Sequence, residues 1–314
     1  MKARPSLFNS VSEAQLFQAV HGTWEPHYRL FPEIPFANLV ALDEHKLSAD
    51  ELSFLNKTSV DFVLTTADTW GPLFVVEFDG LGHGYSRNGR YVGKIATKRD
   101  PHRAWKLGLK ARIAATAGLP LVIVSYDEKA IIDEVTGLTI VHGIIGQFLA
   151  ANHVARRVNE LYEDQKDIIE AMPDDERREY VQDYVVISAE VEADLDWNPI
   201  CTLLSKLRGR AFDLAPISSA SHTPLHDPPR PENTTPFEPG FDDRALREWW
   251  KSIRRWGCEC SIETGRGRVS SGPVWVRNIE GPGIDPMSLA NEIAELVAWR
   301  TALNLLEPSA DKVD

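Results

Sequence analysis

Apolar and polar positions along the first 130 residues follow two different periods, and the points where the period changes outline a set of elements. In SVSEAQLFQAV, Leu16, Phe17 and Val20 fall on one helical face, and Ser12 is a candidate N-cap. FPEIPFANLVAL is broken by proline and reads as extended. SVDFVLTT and PLFVVEFD are rich in β-branched and aromatic residues, and the turn-forming ADTWG between them makes a β-hairpin the expected structure. RDPHRAWKLGLKARIAATAGLP carries helix punctuation: Asp100 as N-cap, Pro101 at the first helical position, Gly118 and Pro120 as stop signals. LPLVIVSYD then reads as a buried strand. Helix, hairpin, helix and strand together imply an α/β core with a mixed sheet.

From about residue 144 to 208 the pattern is mostly helical, with MPDDERREY marking a turn and a new helix start. Residues 216–239 contain seven prolines and no apolar period, so a linker or disordered loop is expected there. A helix (DDRALREWWKSIRRW), β-rich pieces (CECSIET, GPVWVRNI) and a long amphipathic helix from Pro286, capped by Asp285, follow. The expected division is a first domain over 1–150, a helical extension over 151–213, a proline-rich linker over 214–240, and a small α+β C-terminal domain over 241–314. Trp249, Trp250 and Trp256 alternate with Arg247, Lys251, Arg254 and Arg255; a buried helix face with arginines on its rim is favoured over a nucleic-acid surface.

Composition narrows the function. The chain has 314 residues and a net charge of −12, so its overall field repels nucleic acid, and an enzyme acting on polyanions needs a local basic groove. Three cysteines, Cys201, Cys258 and Cys260, make neither a disulfide framework nor a complete zinc site. No stretch has signal-peptide or membrane-spanning character, and a cytoplasmic protein without membrane contact is expected.

The chemistry concentrates at VVEFDGLGHG. Glu77 and Asp79 are two residues apart and project from one strand face, and hairpin pairing brings Asp61 alongside. Clustered carboxylates repel unless protonated or neutralised by a cation, and an all-oxygen site suits Mg²⁺ or Mn²⁺. Solvent-facing strand-end acids are the competing reading. The following loop holds Arg87, Arg90, Lys94, Lys98 and Arg99, a local positive character that supplies the required groove for nucleic acid.

Fifteen residues separate Asp61 from the Glu-x-Asp at Glu77 and Asp79, and a lysine-bearing helix and an apolar strand come next. That order resembles the PD-(D/E)xK (restriction-endonuclease-like) nuclease superfamily. SEAQLF, NKTSVDFVL, PLFVVEFDGLGH and KARIAATAGLPLVIV are similar to successive blocks of a bacterial branch of nuclease-like domains related to the very-short-patch-repair endonucleases. The resemblance spans residues 12 to about 127. It implies a restriction-endonuclease-like mixed-sheet core and Mg²⁺-dependent phosphodiester hydrolysis, in DNA ahead of RNA, with Asp61 and Glu77 as metal ligands and Asp79 or Glu13 as a further one. Asp79 stands where the superfamily has lysine, a departure that moves the lysine to the following helix, where Lys110 matches; Lys106 and Lys98 compete for the role. Glu13 matches an acid that points at the metal from the first helix, and His83 a proton carrier. The alternative is an inactive nuclease-fold module that binds nucleic acid or protein. A second copy or a protein partner is expected, if anywhere, at the C-terminal domain. The last helix together with NPICTLLSKL is also similar to the ends of a double-stranded-RNA-binding domain but lacks that domain's lysines.

Overall fold

The computed structural model describes residues 8, 10–42, 46–79, 102–232, 234, 242–279 and 281–307. Helix α1 (Val11–Val20) begins earlier than Ser12 as its cap would have it. Ser10 is the N-cap: its hydroxyl accepts the Glu13 N–H, and the Glu13 carboxylate accepts the Ser10 N–H. This capping box places an acid in the first turn, where the helix dipole favours negative charge.

Strand β1 (Tyr28–Pro35), short helix α2 (Ala49–Leu55), strands β2 (Ser59–Thr66) and β3 (Pro72–Phe78), helix α3 (Arg103–Thr116) and strand β4 (Leu121–Val124) complete the core. The sheet order is β1-β2-β3-β4. The first two pairings are antiparallel, and β3 pairs β4 in parallel. That parallel neighbour requires a crossover, and α3 provides it. Gly118, at φ 70°, takes the left-handed conformation that ends the helix.

The sheet is covered on both faces, which is why its strands read as apolar runs. Phe62, Leu64, Phe74, Val76, Val122 and Val124 lie on one side with Leu16 and Val20 of α1. Val63 and Val75 lie on the other with Leu55 of α2 and Leu109 and Ile113 of α3. The alternation breaks at one place. Val60 sits on the α2–α3 side with Val63, although the strand period would put it beside Phe62. Strand β1 breaks in step: Leu30 belongs with Phe62, whereas Ile34 packs on the α2–α3 side. Between those positions Glu33 has φ 54°, strained for a residue with a side chain. The ladder runs from Pro32↔Phe62 to Ile34↔Val60, so Glu33 and Asp61 face each other at the break.

A small pair, β5 (Ile131–Asp133) and β6 (Leu138–Thr139), leads into the long helix α4 (Ile140–Asp164). Helices α5 (Lys166–Ala171), α6 (Asp174–Tyr180), α7 (Ile187–Trp197) and α8 (Pro199–Leu214) follow, with a π-helical stretch over Val181–Val186 before α7. The expected linker is in part a strand. Ile217–Asp227 forms β7, paired with β8 (Arg255–Thr264) from Ile217↔Thr264 to Asp227↔Arg255. Of the seven prolines only Pro224 lies inside it, and β7 is at the end of its sheet order, where a missing N–H is tolerated. Helix α9 (Asp243–Ser252) precedes β8; strands β9 (Gly267–Ser270) and β10 (Val274–Arg277) and helix α10 (Pro286–Leu306), capped by Asp285, complete the fold.

The C-terminal elements share the core of the first sheet. Leu289, Ile293, Leu296 and Leu303 of α10 belong to the same apolar cluster as Phe62 and Val76. Arg277 forms a buried two-pronged ion pair with Glu128, just past β4, and Arg300 pairs with Asp133 at 2.8 Å. Trp249, Ile253 and Trp256 are buried together, but the helix stops at Ser252, so Trp256 comes from β8 and not from the helix face expected over DDRALREWWKSIRRW. Burial pushes the Cys260 thiol up to about 12, an inert thiol. Among the described residues no helix is long and apolar enough to cross a membrane.

Candidate metal centre and its lysine

A cavity of about 360 Å³ lies at the start of β2 and the end of β3, lined by Glu13, Asp61, Glu77, Arg103, Lys106 and Lys110, with Phe54 and Ser59 in its wall. Each side chain arrives for a local reason. The side chains of 75, 77 and 79 share one side of the chain at the end of β3: Val75 packs under α3, Glu77 meets Lys110, and Asp79 meets Arg103. On α3, Arg103, Lys106 and Lys110 recur at helical spacing along the stripe that faces the cavity. Asp61 sits where β2 parts from β3. The last paired residues are Phe62 and Val76, and beyond them the Asp61 carboxylate accepts the Phe78 N–H at 2.6 Å in place of a backbone partner.

Glu77 and Lys110 are both buried, with Lys110 Nζ 2.5 Å from Glu77 Oε1. The same ammonium donates to the Ser59 carbonyl at 2.6 Å. Asp79 is fully buried and held by Arg103, with Nε 2.7 Å from Oδ1. Its N–H donates to the Val124 carbonyl, extending the β3–β4 pairing by one residue. Glu33 accepts the Ser59 hydroxyl at 2.7 Å. Carboxylate oxygens of Glu13, Glu33 and Asp61 all lie within 4.8 Å of one another.

Glu13, Asp61 and Glu77 share the cavity with Arg103, Lys106 and Lys110, and burial decides how the acids hold their protons. Burial, and then the Glu77 charge, push the Asp61 carboxyl up to about 8; Glu13 adds to the rise, while the Phe78 N–H and Lys110 oppose it. Burial also raises Glu77, against the pull of Lys110 and Arg103. A proton on Asp61 or a cation among the carboxylates relieves the same repulsion. The donors are all hard oxygens, the kind that would suit Mg²⁺ or Mn²⁺; Asp61, Glu33 and Glu13 are the residues that could hold such an ion, with Glu77 nearby.

A pH dependence follows. The folded Asp61 binds its proton more tightly than the unfolded chain does, so its contribution to stability is fully present below the ordinary carboxylate range and is lost as pH rises through about 8. In EDTA, the thermal midpoint is expected to fall from pH 6 to pH 9, with a smaller fall in Asp61→Asn. Mn²⁺ is expected to raise the midpoint more at pH 9 than at pH 6, because the metal then displaces no proton. Differential scanning calorimetry at the two pH values checks both; equal shifts at both would remove Asp61 from the ligand set.

Of the residues singled out in the sequence, Asp61, Glu77, Lys110 and Glu13 come together in this cavity, with Lys106 on the same stripe. Asp79 is turned to Arg103, and Glu77 is paired with Lys110. His83, Arg87, Arg90, Lys94, Lys98 and Arg99 lie outside the described residues, as do Asp100 and Pro101. The helix after them has His102 at its N-cap position without a side-chain cap. Arg103, a helix-surface residue by its sequence position, instead neutralises Asp79. Glu33 escapes the sequence pattern: its signal, a glutamate in the proline-broken FPEIP, gains meaning only when β1 pairs with β2.

Residues 4–138 match a family model described as "Protein of unknown function (DUF2726)". The match takes in the three cavity carboxylates Glu13, Asp61 and Glu77, together with Glu33, Asp79 and Lys110. Searches of curated proteins and of solved structures return no significant match.

Proposed function

We propose that this chain is a divalent-metal-dependent nuclease that hydrolyses phosphodiester bonds, in DNA ahead of RNA, on a restriction-endonuclease-like core. The observation that carries the reading is the buried Lys110–Glu77 pair at 2.5 Å, set in the same cavity as Asp61. A lysine buried at the cost of its hydration, against an acid that is itself beside other acids, is characteristic of a functional site rather than of a stabilising surface pair. The order α1, β1, α2, β2, β3, α3, β4, with its parallel crossover, supports the fold assignment.

Each residue has a role in this reading. Asp61, Glu33 and Glu13 supply the metal-facing oxygens, with Glu77 beside them. Bound Mg²⁺ or Mn²⁺ would lower the pKa of its water and draw charge from a phosphoryl oxygen. Lys110, fixed by Glu77 and the Ser59 carbonyl, aims one ammonium at the attacking oxygen and at charge building on the phosphate. Lys106 and Arg103 line the approach of the backbone. Asp79 keeps Arg103 in place, which gives the acid at the usual lysine position a structural role.

The rival reading, a module that binds without turnover, draws on Glu13, one of whose oxygens is engaged in the capping box. One assay separates them. Purified protein is expected to cut plasmid or oligonucleotide DNA with Mg²⁺ or Mn²⁺, not with EDTA, and far more slowly with Ca²⁺, whose coordination is looser. Retarded DNA in a gel shift without cleavage under any metal would favour the binding module.

A further inference from the structure

We propose that Trp105, in the hollow next to the carboxylate cavity, is a stacking platform for an unpaired nucleobase, so that the site takes single-stranded or frayed nucleic acid in preference to paired duplex. The inference rests on the nuclease reading and specifies its substrate. Trp105 is 44% exposed, although the buried face of α3 is already supplied by Leu107, Leu109 and Ile113. Its ring lies 5.3 Å from that of Phe54 on α2, at an interplanar angle of 53°. Phe54 also forms part of the wall of the carboxylate cavity, so the Trp105–Phe54 ring pair links the hollow beside Trp105 to that cavity. The neighbours of Trp105 on α3 divide the surroundings by charge. Arg103 and Lys106 turn into the cavity. On the other side, an open hollow is lined by Trp105, His102, Ser48, Asp50 and Glu51. Glu51 in that hollow is held by Arg112 and the Ser48 N–H, and Asp50 is the acid that repels a phosphate and can accept a hydrogen bond from the exocyclic amine of a base. The backbone is therefore directed to the lysine side, and the base to the indole. A base inside a duplex already has both faces stacked and must be unpaired to use such a platform.

The test uses the full chain with Ca²⁺, which permits binding while suppressing turnover. Fluorescence anisotropy would compare a labelled single strand with a labelled blunt hairpin carrying the same number of phosphates. Trp105→Ala is expected to weaken single-strand binding by about tenfold and to leave hairpin binding within about twofold, as loss of one stacked base does. Trp105→Phe should keep most of the affinity. Equal weakening on both substrates, or none on either, would overturn the platform; a thermal midpoint matching the parent's excludes misfolding. Cleavage in Mn²⁺ that needs Asp61 but is indifferent to Trp105 on single strands would also overturn it while leaving the nuclease intact. Selective loss of single-strand binding in a protein that never cuts would uphold the platform and remove the nuclease.

Discussion

Lys110→Met is expected to slow DNA cleavage by about a hundred- to a thousandfold, the usual cost of losing one donor aimed at charge that develops in the transition state. Methionine keeps most of the stem's length and apolar packing, so the change removes the ammonium and little else. The expected result has a second part, because the lysine is also structural. Its Nζ partners Glu77 and the Ser59 carbonyl in a buried setting, and breaking a buried pair by removing one partner costs about 3–5 kcal/mol. Glu77, whose pKa burial already raises, would respond by taking a proton. The double variant Lys110→Met/Glu77→Gln separates the two effects: it should regain much of the lost thermal stability and none of the activity. Lys106→Met, on the cavity-lining stripe one turn away from the Lys110–Glu77 pair, should cost much less. Single-turnover cleavage beside thermal melts of the same preparations makes the comparison. Near-normal cutting by Lys110→Met would move the catalytic lysine elsewhere.

Asp61→Asn is expected to lose on the order of a thousandfold in cleavage while the protein gains stability progressively as pH rises above the ordinary carboxylate range, in full by about pH 8. The amide oxygen can still accept the Phe78 N–H, so the β2–β3 junction keeps its side-chain rung. What disappears is a charge that burial and Glu77 disfavour but that a divalent cation requires. Opposite signs for activity and stability are what a strained functional group gives, and a structural acid would not produce them. Glu77→Ala should behave differently, losing both at once, because it strands the Lys110 ammonium in a buried site. Loss of stability in Asp61→Asn comparable to that in Glu77→Ala would show Asp61 to be part of the scaffold only.

Sequence alone is enough for the elements that build this site. The β-branched runs at 59–66 and 72–78 and the ADTWG turn specify the hairpin because side-chain period and turn chemistry are local properties. The spacing of Glu77 and Asp79, and the helical spacing of Lys106 and Lys110, are local in the same sense, so the chain's own pattern marks these residues as candidates. Their partners are decided by the tertiary structure. Whether Asp79 faces a cation or a metal depends on where α3 begins relative to the end of β3, and that brings Arg103 to it. Glu33 becomes part of the acid cluster only through pairing across β1 and β2 at a point where both strands lose their alternation. The same holds for Ile217–Asp227, whose composition resembles a linker and whose strand exists because β8 lies beside it. Hydrogen bonds from a distant strand outweigh weak local preference, as they do wherever edge strands carry few apolar residues.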